Sequence, residues 1–147
     1  MKRKMVFGAV VLVLFVLQAQ SVFAQSNNML FFRVDDAHLW TNGNRERITD
    51  RVLGASMSAE PGSMMIMVSF NDGSYLTYQF TSSSQRTGGG WILGNGSRST
   101  SLGGNFSGNY RGEIAPFIVN EYRVPNAYTI DIIGEQGHRL HLSVQGL

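Results

Sequence analysis

The chain has 147 residues, a formal net charge of +2 at pH 7 and no cysteine. The missing thiols exclude disulfides, thiolate metal sites and a cysteine nucleophile. A chain of this length is a usual size for one domain and buries roughly two-thirds of its unfolded surface on folding. A hydrophobic core is therefore able to hold the fold without cross-links.

The first two dozen residues have the features of a secretory signal peptide. A basic start at residues 2–4 precedes an almost unbroken apolar run at residues 5–17, and the side chains of Val22 and Ala24 fit a cleavage site. The apolar run is shorter than the ~20 residues that span a bilayer, so we expect cleavage after Ala24 rather than a retained anchor. The sequence therefore predicts a periplasmic or secreted protein with one mature domain, residues 25–147.

Cleavage also changes the charge of the chain. It removes three of the twelve Lys and Arg residues and leaves nine arginines against ten acidic residues, a formal charge of −1. Nucleic acid and anionic membranes need a basic face on the mature domain, so this balance predicts no nucleic-acid partner. The mature chain has no lysine, which excludes a Schiff base and the lysine of a phosphate-binding loop.

The first part of the mature domain gives a mixed pattern. Residues 29–34 read as a strand, residues 35–37 are a candidate turn, and Asn42-Gly43 is a favoured turn dipeptide. Residues 45–53 fit either a strand or a short helix, because nine residues are too few for the hydrophobic period to decide.

The clearest hairpin lies in SMMIMVSFNDGSYLTYQF, residues 63–80. A three-residue loop at 71–73 places the large apolar side chains of both strands on one face, whereas a two-residue turn does not. Gly73 then occupies the third loop position, where a left-handed backbone is required. The predicted facing pairs are Val68 with Leu76, Ile66 with Tyr78, and Met64 with Phe80.

The same construction recurs in AYTIDIIGEQGHRLHLSV, residues 127–144, with a loop at 135–137 that ends in Gly137. Residues 117–124 read as one further strand, closed by Pro125-Asn126. Two hairpins of one kind predict an all-β fold, a small antiparallel β-sandwich or barrel of about six to eight strands. In the second hairpin the predicted facing pairs are Ile132 with Leu140, Ile130 with Leu142, and Tyr128 with Val144.

One segment, residues 81–112, has a different composition, with nine glycines and seven serines. Glycine is unfavourable in helices, and a long stretch of this kind is typical of a functional loop, so we expect loop and irregular strand. Rigid β scaffolds often carry function on loops, and aromatic side chains beside Asn and Gly suit a sugar or a peptide. Trp40 and Tyr122 are further aromatic candidates. The predicted ligand-binding residues are Trp91 as the anchor, with Asn105, Tyr110 and Arg111 beside it.

The three histidines give a weak indication of a metal site. In a strand, residues three apart point to opposite faces, so His138 and His141 do not form a pair. A cluster of Asp35, Asp36 and His38, joined by His141, is the remaining candidate for a divalent cation or for acid–base catalysis. Each of these residues is also common on a strand surface, and we predict no metal, no cofactor and no catalytic residues.

The sequence therefore favours a non-enzymatic exported domain that binds a protein or saccharide through residues 81–112. The first alternative is a hydrolase that uses the carboxylate and histidine cluster, and the second is a structural envelope or assembly component that joins neighbours through unpaired strand edges. A membrane barrel needs long strands with uniformly apolar lipid-facing positions, and the last strand has only three apolar side chains on one face. We expect no stable membrane insertion, and the oligomeric state stays open.

Overall fold

The computed structural model describes residues 29–60, 62–101 and 105–147, and for residues 105–108 it describes the backbone. The predicted signal peptide lies outside the described residues. The elements are β1 (Met29–Thr41), β2 (Asn44–Arg47), a 3-10 helix (Thr49–Arg51), β3 (Val52–Glu60), β4 (Ser63–Phe70), β5 (Tyr75–Gln85), β6 (Trp91–Thr100), β7 (Asn105–Val119), β8 (Tyr122–Ile133) and β9 (Arg139–Gly146).

Eight of the strands close into an antiparallel barrel. From β3 onwards each strand pairs with the next along the chain, while β1 pairs with β3 on one side and with β9 on the other. Strand β2 is the extra strand, because among the described strands it pairs with the end of β1 and with no other. The all-β antiparallel prediction is confirmed, and the closed form is a barrel. No helix in the described part of the chain is long and apolar enough to cross a membrane.

Both predicted hairpin registers are confirmed. In the first hairpin Val68 faces Leu76, and in the second Ile130 faces Leu142, as the hydrophobic pattern requires. The loop glycines have positive φ angles, 86° at Gly73 and 71° at Gly137. The apolar stripes point into the barrel, and the full burial of such a side chain is worth about 1.5–3 kcal/mol. The largest fully buried side chains are Tyr78, Phe80, Ile48, Met57, Met64, Ile66, Leu93, Ile114, Ile130, Ile132, Leu140 and Leu142.

The predicted turn at residues 35–37 is wrong, because β1 continues through it with a bulge. Val34 pairs with Val144, and Asp36 pairs with Ser143, so Asp35 is an extra residue. One inserted residue exchanges the two faces of a strand. Phe32 and Val34 point inward before the bulge, whereas Ala37 and Leu39 do so after it.

The predicted strand at residues 117–124 is also wrong, because the chain reverses within it. Strand β7 ends at Val119 and β8 begins at Tyr122. The two turn residues have positive φ angles, 49° at Asn120 and 67° at Glu121. Such a turn usually carries Gly at its second position, and glutamate gives no sequence signal for it.

The prediction of loop and irregular strand at residues 81–112 is wrong in its loop part, because most of the segment forms the end of β5, all of β6 and the first part of β7. Irregular strand is confirmed, since the pairing of β6 with β7 shifts register on both sides of Gly96. The glycines of this segment make room for neighbouring side chains. Gly96 lies between Phe80 and Tyr110 in the paired strands, and a Cβ atom there would lie 2.6 Å from the Phe80 ring. A glycine in a strand interior often marks such a close approach.

We therefore expect Gly96→Ala to destabilise the barrel by about 1–3 kcal/mol, because the added methyl group overpacks the interior beside Phe80. Urea unfolding followed by fluorescence measures the change in free energy of unfolding.

Gly146→Ala is the matched control, since the nearest atom to its added Cβ would be an ordinary contact at 3.5 Å on Asn126. Its stability should stay within about 0.5 kcal/mol of the wild type or rise slightly, because alanine restricts the unfolded chain. Equal losses in the two variants would contradict the packing role of Gly96.

Candidate functional site

The outer wall of the barrel carries a group of charged and aromatic side chains over four neighbouring strands. We call this group the outer-wall site. Its members are Asp36, His38 and Trp40 on β1, Arg45 on β2, Arg139 and His141 on β9, and Asp131 on β8.

Strand pairing brings these side chains together. The bulge turns His38 and Trp40 outward, and the pairing of β1 with β9 sets them opposite His141 and Arg139. On the other side of β1, Trp40 faces Arg45. Neighbouring strands are ~4.8 Å apart, so side chains in facing positions on one face are in contact range.

Trp40 lies between two guanidinium groups. The guanidinium carbon of Arg45 is 5.4 Å from the centre of the Trp40 ring, and that of Arg139 is 4.9 Å from it. The two arginines reach Trp40 from the two strands that flank β1, Arg45 from β2 and Arg139 from β9. Both contacts are within the range of cation–π attraction. The outer wall therefore presents an aromatic side chain together with two arginine side chains.

Asp36 and His38 form the first of two Asp–His pairs. His38 Nε2 lies 2.9 Å from Asp36 Oδ2, while His38 Nδ1 accepts a hydrogen bond from Arg45 Nε at 3.2 Å. Arg45 Nη2 also lies 3.3 Å from His38 Nε2, but the Asp36 carboxylate is closer and only accepts, so the His38 proton is on Nε2, which donates to Asp36. Burial alone would raise the pKa of Asp36, but hydrogen bonds from Arg47, Thr49 and His38 outweigh it and lower that pKa. Asp36 is therefore an ionised anchor for His38.

Asp131 and His141 form the second pair. Asp131 Oδ1 lies 2.9 Å from His141 Nδ1 and accepts a hydrogen bond from Arg139 at 3.0 Å. The other ring nitrogen, His141 Nε2, has no hydrogen-bond partner among the described residues. His141 is therefore oriented from one side and keeps a polar atom free for a ligand.

This geometry supports only part of the predicted acid–base or metal cluster. Asp36 does meet His38, but Asp35 lies in the bulge and pairs with Arg33 at 2.9 Å. Both nitrogens of His38 are engaged, and within the described residues no ring nitrogen of His38 or His141 contacts a serine or threonine hydroxyl. Among the described residues, no three His, Asp or Glu side chains converge in a way that could hold a metal ion.

A second polar cluster lies inside the barrel, around His138. His138 Nδ1 lies 2.8 Å from Arg98, which can only donate, so the ring proton is on Nε2 and points to the Tyr78 hydroxyl at 2.8 Å. Burial, together with the charge of Arg98, lowers the pKa of His138 to about 4. Burial raises the pKa of Tyr78 far above its usual value. His138 is thus neutral at pH 7, and each of its ring nitrogens has a hydrogen-bond partner, which is typical of a structural residue.

The four residues of the predicted ligand site do not share one surface. Tyr110 is only 6% exposed and packs in the interior, and Trp91 is partly buried against the core. Arg111 is exposed on the outer wall, opposite Ile133, which in turn faces Arg139. The side chain of Asn105 is outside the described part. Of the three predicted residues whose side chains are described, Arg111 alone lies on the outer wall, two strands away from Arg139.

Sequence reasoning named Trp40 as an aromatic candidate but missed Arg45 and Arg139 beside it. The second hairpin predicts Arg139 opposite Ile133, on the face away from the core. That Trp40 is its other neighbour depends on the contact between the first and last strands, for which the sequence has no local signal.

A comparison of the chain with protein-family models, curated proteins and solved structures finds no match.

We expect the stability of the domain to fall as the pH is lowered from about 6.5 to about 4. In this range His138 becomes protonated in the unfolded chain but stays neutral in the folded chain, because folding lowers the pKa of His138 to about 4. The loss attributable to this group is about 2–3 kcal/mol. Urea unfolding at several pH values measures it.

In His138→Gln this part of the pH dependence should disappear, although the variant is less stable at neutral pH. His141→Gln is the control and should keep it, since His138 is unchanged. An unchanged pH dependence in His138→Gln would show that the ring is not the responsible group.

Proposed function

We propose that the protein is an exported, non-enzymatic binding domain that holds an acidic protein partner on its outer-wall site. The carrying observation is the position of Trp40 between Arg45 and Arg139, beside two oriented histidines. Arg111 extends the same face into the segment 81–112 that the sequence favours for binding.

The two arginines beside Trp40 favour a protein over a saccharide. A sugar ring stacks on the open face of an aromatic side chain, whereas two guanidinium groups compete for the Trp40 ring here. Arginine N–H groups recognise carboxylates through paired hydrogen bonds. Tryptophan and arginine are also the residue types that contribute most to protein interfaces.

The arginines of this face are held in position before a partner arrives. Arg45 donates to His38, and Arg139 donates to Asp131. Arg47 donates to Asp36 from the same side. A side chain that is already ordered loses less conformational entropy on binding, which favours affinity.

Interior binding has less support. The inward side chains of the described strands include Tyr78, Phe80 and Tyr110, which fill the space between the walls. His138 and Tyr78 satisfy each other there. A partner on the outer wall needs no rearrangement of this core.

A specific observation favours assembly as the second candidate function. Beyond residue 114 on β7 and before residue 127 on β8, the two strands pair only with each other within the described residues. This ribbon exposes apolar side chains, with Ile118 at 60% and Tyr122 at 79%. Exposed apolar groups on a projecting hairpin are typical of contact surfaces.

To test the binding function, we expect mature wild-type protein to bind poly-L-glutamate at low salt and to lose that binding as the salt rises, because the contact is between exposed charges. The double variant Arg45→Gln, Arg139→Gln should bind about tenfold more weakly or worse. Isothermal titration calorimetry measures both affinities.

The matched control is the double variant Arg33→Gln, Arg123→Gln, which removes two exposed arginines elsewhere and has the same net charge as the test variant. This control should bind poly-L-glutamate within about threefold of the wild type, since surface charges far from a contact are screened. Equal losses in the two double variants would mean that only total charge matters. Absence of wild-type binding would refute the acidic partner.

For assembly, we expect the wild type to form dimers or larger species at high concentration and Ile118→Ser, Tyr122→Ser to stay monomeric, because the apolar contact is lost. Size-exclusion chromatography with light scattering distinguishes them. Leu53→Ser removes a side chain that is also exposed, at 73%, and serves as the control. A monomeric wild type rules this function out.

A further inference from the structure

A pocket of about 310 Å³ lies at one end of the barrel, where β1 and the 3-10 helix meet the loop between β4 and β5. Its floor is apolar and its rim is polar. The floor side chains are Leu39, Ile48, Phe70 and Leu76, and the charged residues of the rim are Arg51 and Asp72.

This pocket is separate from the outer-wall site, although the two share a strand. Leu39 packs against the core while the next residue, Trp40, lies on the outer wall. Consecutive side chains of a strand point to opposite faces. A ligand in the pocket therefore does not touch the arginines that flank Trp40.

The walls of the pocket are fixed by hydrogen bonds. The Asn71 backbone N–H donates to the Arg51 carbonyl at 2.9 Å, and Asn71 Nδ2 donates to the Asp50 carbonyl, also at 2.9 Å. These bonds tie the β4–β5 loop to the 3-10 helix, and Asn71 and Arg51 both line the pocket. A ligand would therefore meet a preformed cavity, which is usual for small-molecule sites.

The charge at the rim is uneven. Arg51 is already paired with Glu46 at 2.8 Å, whereas Asp72 makes no ion pair with any residue in the described ranges. The Asp72 carboxylate accepts hydrogen bonds from the Ser74 hydroxyl and backbone N–H, and these bonds, with a smaller contribution from the charge of Arg51, lower its pKa. Asp72 is thus an exposed, ionised carboxylate at the rim, which feels the charge of Arg51 but forms no direct ion pair with it.

We propose that this pocket binds a small organic cation, in which one aromatic or branched aliphatic group fills the apolar floor and an ammonium group reaches Asp72. A cavity of ~150 Å³ holds a benzene molecule, so the volume here has room for a ring and a short chain. This ligand site is independent of the protein partner proposed above.

The proposal is tested with three probes that share one ring and a two-carbon chain but differ in the polar end. They are 2-phenylethylamine, 2-phenylethanol and 3-phenylpropanoate. Titration of each into ¹⁵N-labelled mature protein, followed by NMR, gives the affinity and the location of the shifts. We expect saturable shifts at the pocket residues at millimolar concentrations, with the amine bound about tenfold more tightly than the carboxylate and the alcohol between them.

The Asp72→Asn variant should bind 2-phenylethylamine no more tightly than 2-phenylethanol, because the substitution removes the negative charge but keeps the acceptor for the Ser74 N–H. Asp35→Asn removes one charge on another face and should leave the order of affinities unchanged. Equal affinities for the three probes, shifts away from the pocket, or no saturation by any of them would each overturn the proposal.

Discussion

The extra residue at Asp35 is the constraint on which the outer-wall site depends. Without it, the alternation that points Phe32 and Val34 inward would also carry Asp36 and His38 into the apolar interior, where burial of an ionised group is costly. The bulge exchanges the faces of β1 within one residue. Apolar residues then face inward on both sides of the bulge, and the polar ones gather on the wall.

Closure of the sheet brings the polar side chains of the last two strands next to those of the first strand. The first strand contributes an Asp–His pair and Trp40, and the last two strands contribute another Asp–His pair and Arg139. The contact between β1 and β9 joins them into one surface. His38 and His141 face each other across this junction, so a partner that binds there would contact both the first and the last strand and would stabilise the closed form by mass action.

His138 and His141 show how one residue type serves two purposes in this barrel. Three positions apart, they lie on opposite sides of the wall. His138 is enclosed, and Arg98 and Tyr78 occupy both of its nitrogens. His141 is held by Asp131 through one nitrogen only and leaves the other for solvent or a ligand. His138 is therefore a structural residue, whereas His141 is available for recognition of a ligand.

The sequence by itself determined both long hairpins, because strand register follows from side-chain alternation and from a glycine at the third loop position, which are properties of adjacent residues. It did not determine the path of residues 81–112, since glycine composition alone does not distinguish a loop from a strand that makes room for Phe80 and Tyr110. The bulge at Asp35, the turn at Asn120-Glu121 and the pairing of β1 with β9 were likewise decided only by the tertiary structure. These features depend on which face of a strand can be buried and on which distant strand completes the barrel, and neither is a local property of the chain.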